Sequence, residues 1–367
     1  MPVLPDVLIV GGGVVGASCA RAIARAGGKV TVLQRAESAG DAWRASAGML
    51  AAQVEGGDDT SLLELGIAGR AFYSRTIADL QTATGMEIAL QQLGILELAA
   101  GPAAAERFKE RVARQRQRGY RANWLDPDEV IDRWPWLGRS VGGFWSPDDG
   151  VLVPEQLVAA FRADAANRGA TIVTDTIREL TIEGGRVIGV ASDTAMYRGG
   201  AVLLAAGAWS GRLGQLPRPL SVEPVRGQML AFPWPAGAEP AVVYGDRCYV
   251  LPRQHEMLVG ATVEHVGFEL APDPVQLAEL HQRAAALVPA LAGQPPLRHW
   301  SGLRPGTPDG LPIIGAEPLL PGLWYATGHG RHGVLLAGIT GELVARELAG
   351  VPADDLLQAF RPTRFWN

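Results

Sequence analysis

The chain has 367 residues, 47% of them hydrophobic and 19% charged, with a net charge of −5. That length predicts two domains, and the acidic balance excludes a general attraction to nucleic acid or anionic membrane. Two cysteines, Cys19 and Cys248, cannot form a disulfide framework, so a reducing cytoplasm is expected. No run approaches the roughly 18 apolar residues of a membrane span, and the apolar start lacks the basic region of a signal peptide.

Asp6-Val7-Leu8-Ile9-Val10 reads as a short buried strand. Gly11-Gly12-Gly13-Val14-Val15-Gly16 follows without a gap, at the head of a helical segment over 17–26. Gly-x-Gly-x-x-Gly in that setting predicts a dinucleotide-binding turn. Gly11 makes the bend, Gly13 lets backbone approach a pyrophosphate, and Gly16 lets helix and strand pack closely. The free N–H groups and positive end of the helix hold the phosphates. A strand over 29–33 completes a βαβ unit. An acidic residue usually follows such a strand and holds the ribose. Gln34-Arg35 stand there instead, an amide that can still bond a hydroxyl or a pair that could accept a 2′-phosphate.

Residues 41–53 read as a loop and short helix near the phosphates. Residues 60–84 read as a helix, with Ser61 and Glu64 at capping-box spacing, and 87–98 as strands. A polar helix over 104–118 stops at Gly119. It and its exit carry Arg107, Lys109, Arg111, Arg114, Arg116, Arg118 and Arg121. Basic clusters can bind RNA phosphates, but Glu106 and Glu110 interleave and no aromatic series accompanies them, so a solvated face is the better account.

Val153-Pro154-Glu155 opens another helix, with proline in its first turn. Residues 171–175 and 179–192 alternate as strands around a Gly184-Gly185 hairpin, and 201–206 form a buried strand ending at Gly207. Strands are expected near 225–232, 248–252 and 257–260, then a helix over 274–287. A strand over 323–327, a glycine-rich turn over 328–333 and a helix over 334–348 repeat the logic of the first unit. Both ends are therefore expected to build one Rossmann-type α/β domain with a mixed parallel sheet, from 1–84, 150–220 and 301–367. Residues 85–149 and 221–300 are expected to form an inserted substrate domain on an antiparallel sheet with helices.

Several motifs then coincide. Gly302-Leu303-Arg304-Pro305-Gly306-Thr307-Pro308-Asp309-Gly310 leads to Pro312-Ile313-Ile314-Gly315, and Gly328-His329-Gly330-Arg331-His332-Gly333 opens the last helix. Ala47-Gly48-Met49-Leu50, Cys248-Tyr249-Val250-Leu251-Pro252-Arg253 and the strand 202–210 stand in the same order. In these segments the chain resembles the D-amino-acid oxidase superfamily, and most closely its glycine oxidases of thiamine biosynthesis. The resemblance implies non-covalent FAD. Gly11, Gly13, Val14, Val15 and Gly16 would lie on its pyrophosphate and Gln34 and Arg35 at its ribose. Ser46, Ala47, Gly48, Met49, Ala206, Gly207 and Trp209 would line its length. Gly328, His329, Gly330, Arg331, His332, Gly333 and Val334 would meet the isoalloxazine, where the helix end stabilises negative charge on reduced flavin.

Arg304 matches the family's carboxylate-binding arginine, a rigid fork suited to two oxygens, and Tyr249 the tyrosine beside it. Arg331 either serves the active site or holds the loop. His329 and His332 read as structural hydrogen-bonders before bases. Met49 lines the cavity and Glu55 guards its entrance. Arg247, His332 and Val263 replace the family's histidine, asparagine and methionine, so the cavity wall differs. Gly302 stands near the place where sarcosine oxidases attach flavin through cysteine. No metal is expected.

The implied reaction is oxidative deamination of glycine, sarcosine or D-alanine: hydride passes to flavin N5, and the imine yields glyoxylate and ammonia. O₂ then gives H₂O₂, and no side chain need be a strong base. A dehydrogenase with another electron acceptor, and a branch acting on modified tRNA, are the alternatives. A homo-oligomer and a link to thiazole-forming enzymes are expected.

Overall fold

A computed structural model describes residues 6–38, 40–56, 60–352 and 354–365. The first strand, Val7–Val10, is buried throughout, as a continuous branched apolar run requires when helices cover both faces of a sheet. It pairs in parallel with Val30–Gln34 on one side and Ala201–Leu204 on the other. Thr171–Thr174 and Leu323–Thr327 extend the parallel ladder outward. Ile313–Ala316 closes one edge in the antiparallel sense, giving six strands.

The first helix, Val14–Arg25, packs between the final helix Gly333–Leu348 and the helix Pro154–Asn167. The first contact is close: a Cβ on Gly341 would lie 2.6 Å from Ser18 Oγ. The two ends of the described chain thus share one core, with Ile9, Ile23, Phe72, Phe161 and Leu336 fully buried in it.

A second sheet of eight strands runs in the order Arg298–Gly306, Glu223–Pro233, Glu256–Gly260, Cys248–Arg253, Val242–Gly245, Ile95–Leu98, Gly143–Ser146, Asn123–Leu125. Only the pair Ile95–Leu98 and Val242–Gly245 is parallel. The helix Pro274–Leu287 covers this sheet through Leu280, Ala284 and Leu287, against Phe232 and Val250. Residue 300, the expected end of the inserted domain, falls inside the strand Arg298–Gly306.

Several elements begin earlier than the sequence predicts. The first helix starts at Val14, because Val14 and Val15 are themselves buried, and the polar helix spans Pro102–Gln117. Ser61 lies inside the helix Thr60–Thr84 and is not its cap. The basic cluster is used within the fold. Arg111 is buried and pairs with Glu97, Arg121 pairs with Asp148, Lys109 lies 2.9 Å from Glu106, and Arg116 donates to the Ala122 carbonyl at 2.6 Å. Among the described residues no helix is long and apolar enough to cross a membrane.

Candidate active site

A cavity of about 1270 Å³ lies between the two sheets, beyond the carboxyl ends of Val7–Val10 and Ala201–Leu204. That is the usual binding crevice of open α/β sheets. It exceeds the roughly 300–1,000 Å³ of a single-ligand pocket, leaving room for a large cofactor and a small substrate.

One end is the glycine turn. Gly11 has φ 110°, and a Cβ there would lie 2.3 Å from the Ala205 carbonyl oxygen; a Cβ on Gly16 would lie 1.9 Å from the Gly11 oxygen. Protein contacts demand both glycines. Gly13 differs: its φ is −70° and its Cβ would meet nothing nearer than Trp43, at 3.5 Å. Its missing side chain matters only to whatever enters the cavity. Gln34 folds over Gly12, and its Oε1 is buried without a partner among the described residues. Gln34 as a whole lines the cavity, while this oxygen is turned onto the Gly12 backbone.

Arg35 is already engaged. It pairs with Asp41, donates to Ser38 Oγ at 3.1 Å, and stacks 4.1 Å over Trp209, so the 2′-phosphate reading loses its cation. Arg162, unremarked in the sequence, donates to the Gly12 carbonyl at 3.0 Å through Nε and pairs with Glu37. Only the fold brings it to the turn, 150 residues away. Ser46 Oγ accepts the Gly48 N–H at 3.1 Å. Arg253, last in the Cys248–Arg253 motif, donates to the Ala47 carbonyl at 2.7 Å and pins that turn. Ala206, Gly207 and Trp209 line the cavity after the strand Ala201–Leu204.

Arg304 and Tyr249 stand at the other end. A Cβ on Gly227 would lie within 2.5 Å of three Arg304 guanidinium atoms, so the guanidinium rests against that bare backbone. Its Nη1 donates to the Thr262 carbonyl at 3.0 Å. No carboxylate lies in ion-pair reach of Arg304 among the described residues, although burial disfavours its charge. Among the described residues the Tyr249 hydroxyl donates only to Met229 Sδ, at 3.3 Å, a weak acceptor.

Glu55 is the hub of this end and does more than stand at an entrance. Arg331 Nη2 lies 2.9 Å from Oε1, the Tyr244 hydroxyl donates to Oε1 at 2.7 Å, and His332 Nδ1 lies 3.3 Å from Oε2. Burial opposes its charge, yet Arg331, His332 and Tyr244 together hold it at about 2. The pairing favours a loop-holding part for Arg331, with half of its side chain still exposed. His329 is buried with Nε2 3.1 Å from Thr340 Oγ1 of the final helix. Burial and the neighbouring His332 push it down to about 3, so it is neutral and a poor base. Gly328 precedes this turn, and Gly330, Gly333 and Val334 line the cavity beside it. Met49 forms buried wall; Arg247 is exposed on a hairpin turn at φ 53°, and Val263 is 67% exposed. All three line the same cavity.

The sequence model for FAD dependent oxidoreductases matches residues 6–347. The chain belongs to that family. It is 35% identical over 98% of its length to the bifunctional protein ThiO/ThiG of a Nostoc species, and spans 55% of that longer protein. It is 33% identical to the glycine oxidase of Geobacillus kaustophilus, over 93% of this chain and 92% of that enzyme. The crystal structure of glycine oxidase from the same organism superposes with a TM-score of 0.92 at 31% identity, covering 98% of both chains.

FAD is the family's cofactor, and the residues present fit it. The open Gly13 backbone and the cavity's size each suit a dinucleotide. Burial raises both cysteine thiols to about 12, which leaves neither nucleophilic.

Proposed function

We propose that the protein oxidises glycine and small relatives such as sarcosine and D-alanine, with water and O₂ as co-reactants, giving glyoxylate, an amine or ammonia (pyruvate from D-alanine), and H₂O₂. The observation that carries this reading is Arg304: a cation with no carboxylate in ion-pair reach among the described residues, opening on the cavity that ends at the glycine turn. Its fork suits a ligand carboxylate, and the Tyr249 hydroxyl, which donates to the weak acceptor Met229 Sδ, is available to the same group. When bound, the flavin supplies the two-electron acceptor and its reoxidation by O₂. The chain orients the substrate, excludes water and places the positive end of Gly333–Leu348 toward the cavity. A neutral His329 and a Glu55 met by three donors are both poor bases, consistent with a substrate that enters with its amine already neutral.

The match to one half of a ThiO/ThiG protein supports a supply of the product to thiazole formation. The experiment is a flavin spectrum of purified protein, followed by glycine, sarcosine or D-alanine without oxygen. Bleaching, then H₂O₂ on admitting air, is the expected result. Bleaching without H₂O₂ would favour a dehydrogenase with another acceptor, and a colourless protein after incubation with FAD would end the proposal.

A further inference from the structure

Beside the Arg304 guanidinium lies a polar network that the reading above does not use. Residues 262–264 leave the strand Glu256–Gly260 and bond along Glu223–Pro233. The Glu264 N–H donates to the Arg226 carbonyl at 3.0 Å, the Arg226 N–H donates back at 2.9 Å, and the Thr262 N–H donates to the Gln228 carbonyl at 3.2 Å. Side chains tie the same segment again. The Gln228 N–H donates to Thr262 Oγ1 at 2.8 Å, the Thr262 hydroxyl donates to Glu264 Oε1, and Gln228 Nε2 donates to that oxygen at 2.8 Å. Arg226 meets Glu264 Oε2 through Nε, at 3.2 Å, and through Nη2. All four residues are buried. Burial opposes the Glu264 charge, but these donors hold its carboxyl below the ordinary range.

Such a closed network has one arrangement, and loses it if one acceptor is removed. It reaches the site through the Thr262 carbonyl, which takes the Arg304 Nη1–H at 3.0 Å.

We propose that Glu264 is a positioning residue: through Thr262 it fixes the Arg304 guanidinium, so that its remaining donors are preset for a substrate carboxylate. This rests on the part assigned to Arg304 above. Four donor contacts converge on the two Glu264 oxygens. Glutamine offers one oxygen, so one pair of donors would face an amide N–H and the 262–264 segment would shift. A misplacement of an ångström can cost orders of magnitude in a bound geometry. The effect belongs to carboxylate recognition, far from the glycine turn.

The test uses FAD-loaded enzyme carrying Glu264→Gln, Thr262→Val, Thr262→Ser or Arg304→Ala. It reads KM and kcat for glycine, the Kd of acetate from perturbation of the flavin spectrum, and the Kd of FAD. Glu264→Gln and Thr262→Val should raise the glycine KM and acetate Kd about 10-fold, with kcat within about 2-fold and FAD affinity unchanged. Thr262→Ser, which keeps the hydroxyl, should restore wild-type values. If Glu264→Gln does not fold, the Thr262 pair decides alone. Acetate affinity moving less than about 2-fold in both variants, while Arg304→Ala abolishes it, would overturn the positioning role only. Acetate binding unchanged in Arg304→Ala as well would overturn both that role and the Arg304 reading.

Discussion

Arg304 combines a desolvated charge, a glycine floor and the Thr262 carbonyl as its backbone acceptor, so its removal should be felt almost entirely by a bound anion. Arg304→Ala is expected to lower kcat/KM for glycine by about 2–4 kcal/mol, chiefly through KM. Arg304→Lys should recover only part, since an ammonium cannot reproduce the planar fork. Steady-state kinetics of the three proteins checks this, and a wild-type KM in either variant would remove Arg304 from the site. His329 makes a prediction in pH. Its value in the fold is about 3 against an ordinary 6.5, so between those values the unfolded chain binds a proton that the folded chain refuses. The stability it contributes is complete above about pH 6.5 and is lost as pH falls, by roughly 2 kcal/mol at about pH 5. The melting temperature of wild type should fall over that interval more steeply than that of His329→Gln; equal slopes would show that the imidazole is not buried neutral. Arg304, Tyr249 and the three glycines stand out in the sequence as candidates, because each sits in a local motif. Arg162 and Tyr244 carry no such mark, since only distant strand and helix pairings bring them to the cavity.

The strand–turn–helix at the front of the chain was legible because its three glycines do different work. Two of them answer the protein and one answers the ligand, which can be separated. Gly16→Ala would put a Cβ 1.9 Å from the Gly11 oxygen and should cost about 2–4 kcal/mol of folding stability in denaturant unfolding. Gly13→Ala has room against Trp43 at 3.5 Å. It should leave the FAD-free protein within about 0.5 kcal/mol of wild type while weakening FAD binding, measured by titration of flavin fluorescence. Equal stability losses in the two variants would contradict this division. Other elements stayed partly hidden for physical reasons. A strand leading into Arg304 fits the sequence, but two glycines and Pro305 within Arg298–Gly306 obscure how far it runs. Nine ladder positions against Glu223–Pro233 set its extent, with Pro305 opposite Pro224 near its end. Val242–Gly245 and Gly143–Ser146 are four residues each, too short for alternation to show.

For the molecule as a whole, both sheets contribute walls to one cavity, so cofactor binding and folding are linked. FAD at about 100 times its Kd should stabilise the fold by about 2.7 kcal/mol, seen as a rise of several degrees in melting temperature. A melting temperature indifferent to FAD would mean that the cavity does not hold it. Sequence showed that the two ends of the chain meet, because each repeats the strand–turn–helix pattern. It could not show the order of the eight-stranded sheet, which depends on tertiary pairing such as the parallel contact of Ile95–Leu98 with Val242–Gly245.

The tight seat of Gly341 on Ser18 carries a cost during synthesis. A ribosome releases the opening βαβ unit roughly 300 residues before its covering partner, some 15–60 s at about 5–20 residues per second. For that interval the nascent chain presents Ile23 and its neighbours to water, an invitation to chaperones or to aggregation.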